Sequence, residues 1–479
     1  MTKFTSNTDF ELKSVKIFPL DGREPVEMKP MVQAINYVES VLMPFVSATA
    51  SVIDSAGFLQ DLPIQGTEKV VFSVLTNQSE EQYEYTMRIW TVSNRFAQQN
   101  KQAYTLGLVS EEALLNEYTR INQPLKGNPE SIVSRLLQKD LKTAKDIFSE
   151  PSLFEVNYLP TRERPFNIID KLASKAMSPQ AKFNNSKTKK DPNKTENADK
   201  SSAKSLKGSG GFFFWESKRG YNFFAVDSLC ADEESELKSK KLDAQSWGPY
   251  VERVANQSDG ADDRFGIFSS TFTSDADIMN SLRDGKFGTR LVLFNHSTGQ
   301  YEEYDYSMSN SYDNMAHLGG QDALAKVPAS QIDLSKFPSR LMSVFLDHET
   351  WYNDPAPASP EPQDGGKDPT KFADWQKYYA AQSVARFKLL RNQQCTIVIP
   401  GNPEICAGDK IDIRLINKKP TSELNKESVD NESSGLYLVK ELTQTYDTLE
   451  GTNGRYTTTL RLMRDSFGMK GKQSSHSNK

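Results

Sequence analysis

Two distant segments of the chain share one pattern of residues. The first, IQGTEKVVFSV, begins at Ile64, and the second, ICAGDKIDIRL, begins at Ile405. An acidic residue followed by lysine occupies the same place in both, as Glu68-Lys69 and as Asp409-Lys410. After each pair, apolar residues alternate in the same phase, as Val70, Phe72 and Val74 and as Ile411, Ile413 and Leu415. This alternation predicts a strand with one buried face.

A turn precedes each of these strands. Leu62, Pro63 and Gly66 shape the first turn, and Pro63 removes no ladder hydrogen bond because it precedes the strand. We predict that both segments are elements of two related β-barrels or of an interface between them. The residues assigned to this role are Leu62, Pro63, Ile64, Gly66, Glu68, Lys69, Ile405, Gly408, Asp409 and Lys410.

Each copy continues with a second matching strand. Leu106 and Leu108 follow the first segment, and Leu460 and Leu462 follow the second. The second copy is longer by a polar stretch, NKKPTSELNKESVDNESS, as expected of a loop inserted into a duplicated domain. Any two short antiparallel strands can look alike, but the acid-lysine pair at the same phase favours duplication.

The remaining chain divides by composition into segments of different character. Residues 1–109 alternate throughout and predict a first β-barrel domain. Residues 110–275 predict a mixed α/β domain, and 276–370 predict a connecting region that contains a hairpin. Residues 371–468 predict a helix and a second β-barrel, and 469–479 a disordered tail. The fold class is therefore α+β, with two similar antiparallel barrels separated by mixed α/β domains.

A helical stripe begins the mixed region. Asn128 is placed as an N-cap with Pro129 at the first helical position, and apolar residues recur at helical spacing as far as Ala144 and Phe148. A second helix is predicted in FNIIDKLASKAM. Both present one apolar face to a neighbour.

Two segments are predicted to be mobile. Residues 178–210 are rich in lysine and poor in apolar side chains, so they cannot offset the entropy of ordering. A nucleic-acid-binding segment is the alternative, but a solvated insertion is favoured. Residues 353–369 are rich in proline and exposed.

An aromatic hairpin follows the lysine-rich segment. Its sequence, FFFWESKRGYNFF, contains Trp215, Tyr221, Phe223 and Phe224 around a Lys-Arg-Gly turn. These side chains could form a sugar-stacking platform, but their density favours a core or a subunit interface.

Charge and cysteine content exclude several classes of protein. The chain has 58 basic and 63 acidic side chains, a net charge of −5, which argues against a protein that wraps nucleic acid or coats an anionic membrane. No signal-like segment or run of 18 apolar residues is present, so synthesis in a cytoplasm is expected without stable membrane association. Cys230, Cys395 and Cys406 are too few and scattered for a disulfide framework, and buried thiols are expected.

No motif predicts an active site. The four histidines, at 296, 317, 348 and 476, form no metal-binding pair, and no nucleophile elbow or phosphate loop is present. Asp259, Asp262 and Asp263 could hold a calcium ion, but they lack EF-hand spacing and a solvated turn is favoured. The acidic pairs at 80–81 and 302–303 would face opposite ways on strands. We therefore expect neither catalysis nor a cofactor.

The order of these features resembles the central baseplate hub proteins of contractile-tailed, T-even-like phages, which are related to the hub part of other contractile injection spikes. The resemblance is carried by SVIDSAGFLQDLPIQGTEKVVFSV, NEYTRINQPLKGNPESIVSRLLQKDL, FFFWESKRGYNFFAVDSL and SVARFKLLRNQQCTIVIPGNPEICAGDKIDI with SGLYLVKELTQTY. It implies a homotrimer whose paired barrels form a ring with pseudo-six-fold symmetry around a DNA channel.

The resemblance also implies partners and a location. The ring would join the six-fold tail tube, or its initiator, to a trimeric spike in the virion baseplate, with wedge proteins as further partners and DNA only in passage. Two similar barrels per chain let three copies imitate six, and a neighbour can cover an exposed edge strand. Two other readings stay open: a receptor- or glycan-binding tail protein, and a cell-wall hydrolase.

Overall fold

The computed structural model describes most of the chain. The described residues are 4, 6–61, 64–77, 82–98, 101–152, 155–178, 209–231, 245–252, 264–274, 277–296, 299–308, 311–312, 315–320, 338–345, 372–418, 429–449 and 454–470. Leu62, Pro63, most of the lysine-rich segment, the proline-rich segment, residues 471–479 and the aspartates at 259, 262 and 263 lie outside them.

Strands predominate over helices. The strands are β1 (Phe10–Phe18), β2 (Val26–Glu27), β3 (Val32–Ser40), β4 (Ser47–Asp54), β5 (Lys69–Thr76), β6 (Gln82–Gln98), β7 (Lys101–Val109), β8 (Leu125–Gly127), β9 (Ile147–Ser149), β10 (Val156–Tyr158), β11 (Met177–Ser178), β12 (Ser209–Gly210), β13 (Phe212–Ser217), β14 (Gly220–Ala225), β15 (Ser246–Glu252), β16 (Gly266–Ile267), β17 (Ser269–Ser274), β18 (Gly288–Asn295), β19 (Gln300–Ser307), β20 (Arg340–Phe345), β21 (Gln393–Pro400), β22 (Lys410–Arg414), β23 (Gly435–Asp447) and β24 (Arg455–Arg464). The helices are α1 (Phe58–Asp61), α2 (Glu111–Tyr118), α3 (Pro129–Arg135), α4 (Pro165–Lys175), α5 (Val226–Cys230), α6 (Ile278–Arg283) and α7 (Phe372–Leu389), with a 3-10 turn at Lys29–Met31 and a π turn at Leu136–Asp140.

The N-terminal strands form one β unit. They pair antiparallel in the order β3-β4-β7-β6-β5-β1, and β2 extends the outer side of β1. Val70, Phe72 and Val74 all point into one apolar core shared by these strands. The alternation in the sequence therefore marks the buried face of β5, as expected. We call strands β1 to β7 the first β unit.

The C-terminal strands form a second β unit with the same order. Its strands lie side by side in the order β17-β21-β24-β23-β22-β15. Among these pairs, β15 and β22 are parallel and the others antiparallel. β16 lies one residue before β17 and pairs in parallel with β15. Ile411, Ile413 and Leu415 point into its core. β15 to β17 precede residue 276 in the chain and still pair with these C-terminal strands.

One strand pair joins the two units. β3 of the first unit runs antiparallel to β23 of the second, from Ser40 opposite Glu441 to Ala34 opposite Asp447. Both units therefore belong to one 14-stranded sheet. Tyr446 on β23 also reaches the first unit's core, where its hydroxyl lies 3.1 Å from that of Tyr85.

The mixed region packs α2, α3 and α4 against the aromatic hairpin β13-β14. Asn128 stands at the N-cap position of α3 and Pro129 at its first residue, as predicted, although the Asn128 side chain makes no capping hydrogen bond. The helical stripe ends sooner than predicted. Lys142 adopts a positive φ of 53°, and Phe148 lies in β9, which pairs in parallel with β14. The expectation of a helix through Phe148 was wrong.

A third layer carries a small sheet and the long helix. β18 and β19 form the hairpin predicted at 286–306, and β20 pairs with β18 in parallel. Ala381, Ala385 and Leu389 of α7 pack on the buried face of this sheet. No helix in the described ranges is both long and apolar enough to cross a membrane.

Candidate assembly site

The two turns singled out in the sequence are built in the same way. Thr67 and Gly408 occupy equivalent places, and both have positive φ, 74° and 90°. The N–H of Thr67 donates to the carbonyl of Ile89 at 2.6 Å, and the N–H of Gly408 donates to that of Val439 at 2.9 Å. In return, the N–H of Ile89 donates to the backbone carbonyl of Glu68 at 3.0 Å, and the N–H of Val439 donates to the backbone carbonyl of Asp409 at 2.8 Å.

The strands that receive these turns are also equivalent. β6 has a bulge between Ile89 and Thr91, and β23 has one between Val439 and Glu441. A bulge places two residues opposite one and locally increases the twist of a strand. The same irregularity at the same place supports the view that the two units repeat one design.

The acidic residues of the two turns hold the loop that precedes them. Glu68 accepts hydrogen bonds from the N–H groups of Gln65 and Gly66, at 2.8 and 2.9 Å. Asp409 accepts one from the N–H of Cys406 at 3.0 Å. Each carboxylate is almost completely buried, so these backbone donors replace water as its partners. The acid of the acid-lysine pair therefore fixes the turn in both copies.

The second turn has a further function because the aromatic hairpin packs onto it. The indole N–H of Trp215 donates to the carbonyl of Ala407 at 2.9 Å. A Cβ on Gly408 would lie 2.4 Å from Cζ2 of Trp215, so the indole occupies the space that a larger residue would need. Glycine is favoured at position 408 for two reasons. Its backbone has a positive φ, and the Trp215 ring approaches its Cα too closely to leave space for a Cβ.

Asp409 is the centre of a buried polar cluster. Its two oxygens accept a bidentate pair of hydrogen bonds from Arg219, both of 2.9 Å. They also accept from the backbone N–H of Gln245 and from the indole N–H of Trp247, each at 2.8 Å. The turn of the hairpin, the start of β15 and the loop before β22 are thus bound to one carboxylate.

Glu39 connects this cluster with the first β unit. It is the second-last residue of β3, and its carboxyl group accepts hydrogen bonds from Tyr37, from the N–H of Lys218 at 2.6 Å and from the N–H of Ala407 at 2.9 Å. Burial raises its pKa from 4.5 to about 7, although these hydrogen bonds and the charge of Arg219 act in the opposite direction. One side chain thereby contacts both units and the hairpin.

A more exposed contact crosses the same boundary. The ammonium group of Lys218 lies 3.7 Å from the centre of the Tyr83 ring, and burial lowers its pKa. The Tyr83 hydroxyl donates to Glu404 at 2.5 Å. Lys218 therefore lies between a first-unit strand and the loop of the second unit. We call Glu39, Trp215, Lys218, Arg219 and Asp409, with their partners, the junction cluster.

The structure brings some predicted residues together and separates others. Trp215, Gly408 and Asp409 meet in the junction cluster, and Lys410 follows with its ammonium group on the carbonyl of Ala231 at 2.5 Å. Tyr221 and Phe223 instead belong to the helical core, and Phe224 to an adjoining core. All four aromatic residues are at most 4% exposed, so they form no sugar platform. The first-unit residues Ile64, Gly66, Glu68 and Lys69 lie at their own turn.

Sequence reasoning missed Glu39, Arg219 and Trp247. Arg219 lies in the predicted turn of the aromatic hairpin, but nothing in the sequence indicated that it pairs with Asp409. Glu39 carried a weak signal, because it is an acidic residue at the end of an otherwise apolar alternating strand.

A second buried charge network holds the third layer to the second unit. The Arg386 guanidinium is fully buried and donates to Asp227 at 2.8 Å, to Asp465 at 2.8 Å and to the carbonyl of Ala316 at 2.5 Å. Asp465 also pairs with His317 at 2.8 Å. Burial alone would raise the pKa of Asp465, but His317, Arg386 and the hydrogen bonds outweigh it and hold that pKa well below its usual range.

No metal-binding or catalytic arrangement stands out in the part of the chain that the structure describes. No three His, Cys, Asp or Glu side chains there are arranged around a possible ion. His317 is engaged in the Arg386 network. His348, His476, Glu80 and Glu81 lie outside the described residues. The three cysteines are buried and form no disulfide, as expected.

Comparison with solved structures gives several matches along nearly the whole chain. The tail protein of Neisseria meningitidis MC58 is 11% identical, with 95% of this chain and 97% of that chain covered and a TM-score of 0.49. The 43 kDa tail protein of prophage MuSo2 from Shewanella oneidensis is 8% identical, with 96% and 99% covered and a TM-score of 0.49. The E. coli c3393 protein, a type VI secretion component described as structurally similar to the T4 tail proteins gp27 and gp5, is 9% identical, with 96% and 79% covered and a TM-score of 0.40.

The structural neighbours are phage tail and type VI secretion proteins. No family model matches the sequence, and no curated protein matches it significantly.

Proposed function

We propose that this protein is the structural hub of a contractile phage tail baseplate. Three copies form a ring of six β-barrels that joins the six-fold tail tube to a three-fold spike. The observation that carries this proposal is the repeated β unit, because both copies have one strand order, equivalent turns and equivalent bulges. A chain that holds two like units can satisfy a six-fold neighbour with three copies.

The junction cluster supports an adaptor role. An adaptor must hold its two units at a fixed angle, because each copy has to place both of them on the same ring. Pairing of β3 with β23 sets that angle through the backbone, and the buried carboxyl of Glu39 ties both units to the hairpin. Such buried, fully paired polar contacts favour one geometry over others. The surfaces outside the ring are then available to the spike trimer, to tube or tube-initiator proteins and to wedge proteins.

The proposed location is the virion tail, with phage DNA passing through the ring. The net charge of −5 suits a channel that DNA traverses without being held. The role is structural, without a catalytic step.

Light scattering and electron microscopy of the full-length protein test this proposal. We expect a trimer, alone or after addition of the cognate spike protein, and a three-lobed ring with a central hole in negative stain. A protein that stays monomeric both alone and with its spike would contradict the hub function.

An exposed aromatic row supports a second candidate function, the binding of a surface glycan. Phe294 of β18 lies between Tyr301 of β19 and Phe345 of β20 in the register of the small sheet. These side chains are 39%, 68% and 70% exposed. Sugars stack on such rings, so a glycan array should show binding that Tyr301→Ala abolishes and Tyr118→Ala, at an exposed residue elsewhere, preserves. An array without binding excludes this candidate.

A further inference from the structure

The second half of strand β6 has an open edge. β5 pairs with β6 only along Gln82–Arg88, whereas β6 continues to Gln98. From Thr91 onward, β7 covers one side, and no described strand covers the side that continues from β5. This stretch contains neither proline nor lysine, residues that commonly protect an edge. It has a bulge between Ser93 and Phe96, beyond which Phe96, Ala97 and Gln98 pair regularly with β7. It is therefore a site at which another strand can add.

The equivalent edge in the second unit is covered. β23 corresponds to β6, and its first part pairs with β22 as β6 pairs with β5. Its second part, from Glu441 to Asp447, then pairs with β3 of the first unit. The open stretch of β6 thus corresponds to a stretch of β23 that already has a partner within the chain.

The strand that could fill this gap is identified by the same equivalence. β3 pairs with β4 on one side and with β23 on the other. Its counterpart in the second unit is β17, which pairs with β21 on one side. Among the described residues, no strand pairs with the other side of β17 from Ser269 to Ser274. In the described part of the two units, the second half of β6 thus offers an open acceptor edge and β17 an open donor edge.

We propose that β17 of one copy pairs antiparallel with the Thr91–Gln98 stretch of β6 in a second copy, as β3 pairs with β23 within the chain. This inference rests on the proposed function, because it takes the partner to be another copy of this chain. It adds the strands and the register through which the copies meet.

The internal pairing fixes the register. Ile35 lies opposite Tyr446 and Asn36 opposite Thr445. The ladder of β6 with β7 is equivalent to that of β23 with β24. Matching the two ladders from their shared turns aligns Phe96 of β6 with Thr445 and Ala97 with Tyr446. The path from β7 through β4 to β3 is likewise equivalent to the path from β24 through β21 to β17. It aligns Ser270 of β17 with Ile35 of β3 and Thr271 with Asn36. Ala97 therefore lies opposite Ser270, and Phe96 lies opposite Thr271.

The backbone groups of Ala97 point to the open edge. Within the chain, Thr448 donates to Gln33 and Val41 donates to Lys440, each at 2.9 Å. Because hydrogen-bonded pairs alternate in an antiparallel ladder, Tyr446 also exchanges its bonds with β3. Its equivalent, Ala97, then directs its N–H and C=O away from β7 and towards the incoming strand.

The side chains along both edges suit a contact between copies. Phe96 is 62% exposed, and Phe268, one residue before β17, is 46% exposed. β17 carries no charged residue, and the open stretch of β6 carries only Arg95. No like charges are therefore opposed across the pair. Burial of the two phenylalanines adds apolar area to the main-chain hydrogen bonds.

Repetition of this contact gives an alternating ring. Each unit contacts the next through the same type of strand pair, once within the chain and once between chains. Contacts of this head-to-tail kind close into a ring when the rotation between units closes. The open stretches of β6 and β17 are then both covered, which removes two sites of uncontrolled aggregation.

Disulfide trapping in the full-length protein tests the register. Phe96→Cys combined with Thr271→Cys places two thiols at a non-hydrogen-bonded pair, where the Cα atoms are close enough for a disulfide. We expect covalent oligomers under mild oxidation, with a yield at least about fivefold above that of Phe96→Cys with Ser269→Cys, which lies two residues out of register on the same strand. The native cysteines are buried and should not contribute.

A proline variant tests the edge independently. Ala97→Pro removes the donor at the open edge without removing a bond to β7, so the fold should persist while copy-to-copy affinity falls by about tenfold or more. Ala97→Ser is the control and should assemble normally. A trimer that resists Ala97→Pro and gives no in-register disulfide overturns this pairing and leaves the hub function intact. A chain that never assembles overturns the hub function and this pairing with it.

Discussion

The carboxyl group of Glu39 accepts a hydrogen bond of 2.9 Å from the backbone N–H of Ala407. The two residues are 368 positions apart and belong to different β units. Because Glu39 also accepts a hydrogen bond from the N–H of Lys218, one buried carboxyl group contacts both β units and the hairpin.

Titration of Glu39 gives the first prediction. Its pKa is about 7 in the folded protein and 4.5 in the reference state. Between these values the folded protein holds more protons than the unfolded chain, so this group makes stability fall as pH rises from about 4.5 to about 7. The expected loss is on the order of 3 kcal/mol. Urea denaturation at a series of pH values measures it.

Two variants separate Glu39 from the other carboxyl groups. Glu39→Gln cannot ionise, so the loss of stability across this pH range should largely disappear. Glu111→Gln changes an exposed side chain that pairs with Arg88 on the surface and should leave the profile unchanged. An unaltered profile in Glu39→Gln would show that Glu39 ionises normally.

The Arg219–Asp409 pair gives a second prediction. Asp409 is 1% exposed, and Arg219 supplies two of its hydrogen bonds. Arg219→Ala should lower the free energy of unfolding by about 2–4 kcal/mol, because a buried carboxylate loses its counter-charge. Chemical denaturation measures the change.

The chain contains a matched control for this pair. Arg290 and Asp305 form a bidentate pair of similar geometry, 2.7 and 2.8 Å, but both side chains are about half exposed. Water can replace the lost partner there, so Arg290→Ala should change stability far less. Equal effects of the two substitutions would mean that the burial of Asp409 has no energetic weight.

The repeated β units could be predicted from the sequence because their signal is local. The match of Ile64 with Ile405 and the phase of Glu68 and Asp409 are properties of short strands and turns. The residues so aligned occupy equivalent turns, both with positive φ and with equivalent backbone hydrogen bonds. The local residue pattern was sufficient to predict an element wherever the contacts that determine it lie within one strand and the turn before it.

The junction could not be predicted, because it depends on contacts between remote parts of the chain. Glu39 has its role only when β3 lies beside β23, and neither strand's pattern specifies that neighbour. The helical stripe failed for the same reason. Phe148 fits helical spacing, but pairing of β9 with β14 overrides that local preference after Lys142 turns the chain.

The equivalent turn residues Thr67 and Gly408 give a third prediction, in which substitutions at the two sites have unequal effects on stability. Gly408→Ala places a Cβ at positive φ and 2.4 Å from Trp215, so it should cost about 2 kcal/mol or more. Thr67→Gly relieves a similar backbone conformation and costs only chain entropy, so its effect should stay within about 1 kcal/mol of zero. Thermal or chemical denaturation compares them. A similar cost at both sites would contradict the structural difference between the turns.

Asp465 gives a fourth prediction, at the acidic end of the pH range. Its pKa in the folded protein lies well below the reference value of 3.8, because His317, Arg386 and the hydrogen bonds outweigh the effect of burial. A lowered pKa contributes stability that is present above pH 3.8 and is lost as pH falls below it. Together with Glu39, this places the stability contributed by the two groups at a maximum near pH 4 to 5.

Acid denaturation of Asp465→Asn tests this sign. The variant should be less stable at pH 6 and should lose less further stability on acidification than the parent protein. Asp305→Asn is the matched control, because Asp305 also has a lowered pKa from an arginine partner but lies at the surface. It should shift the acid transition only slightly. If Asp465→Asn retains the full acid sensitivity of the parent, the Arg386 network is not its source.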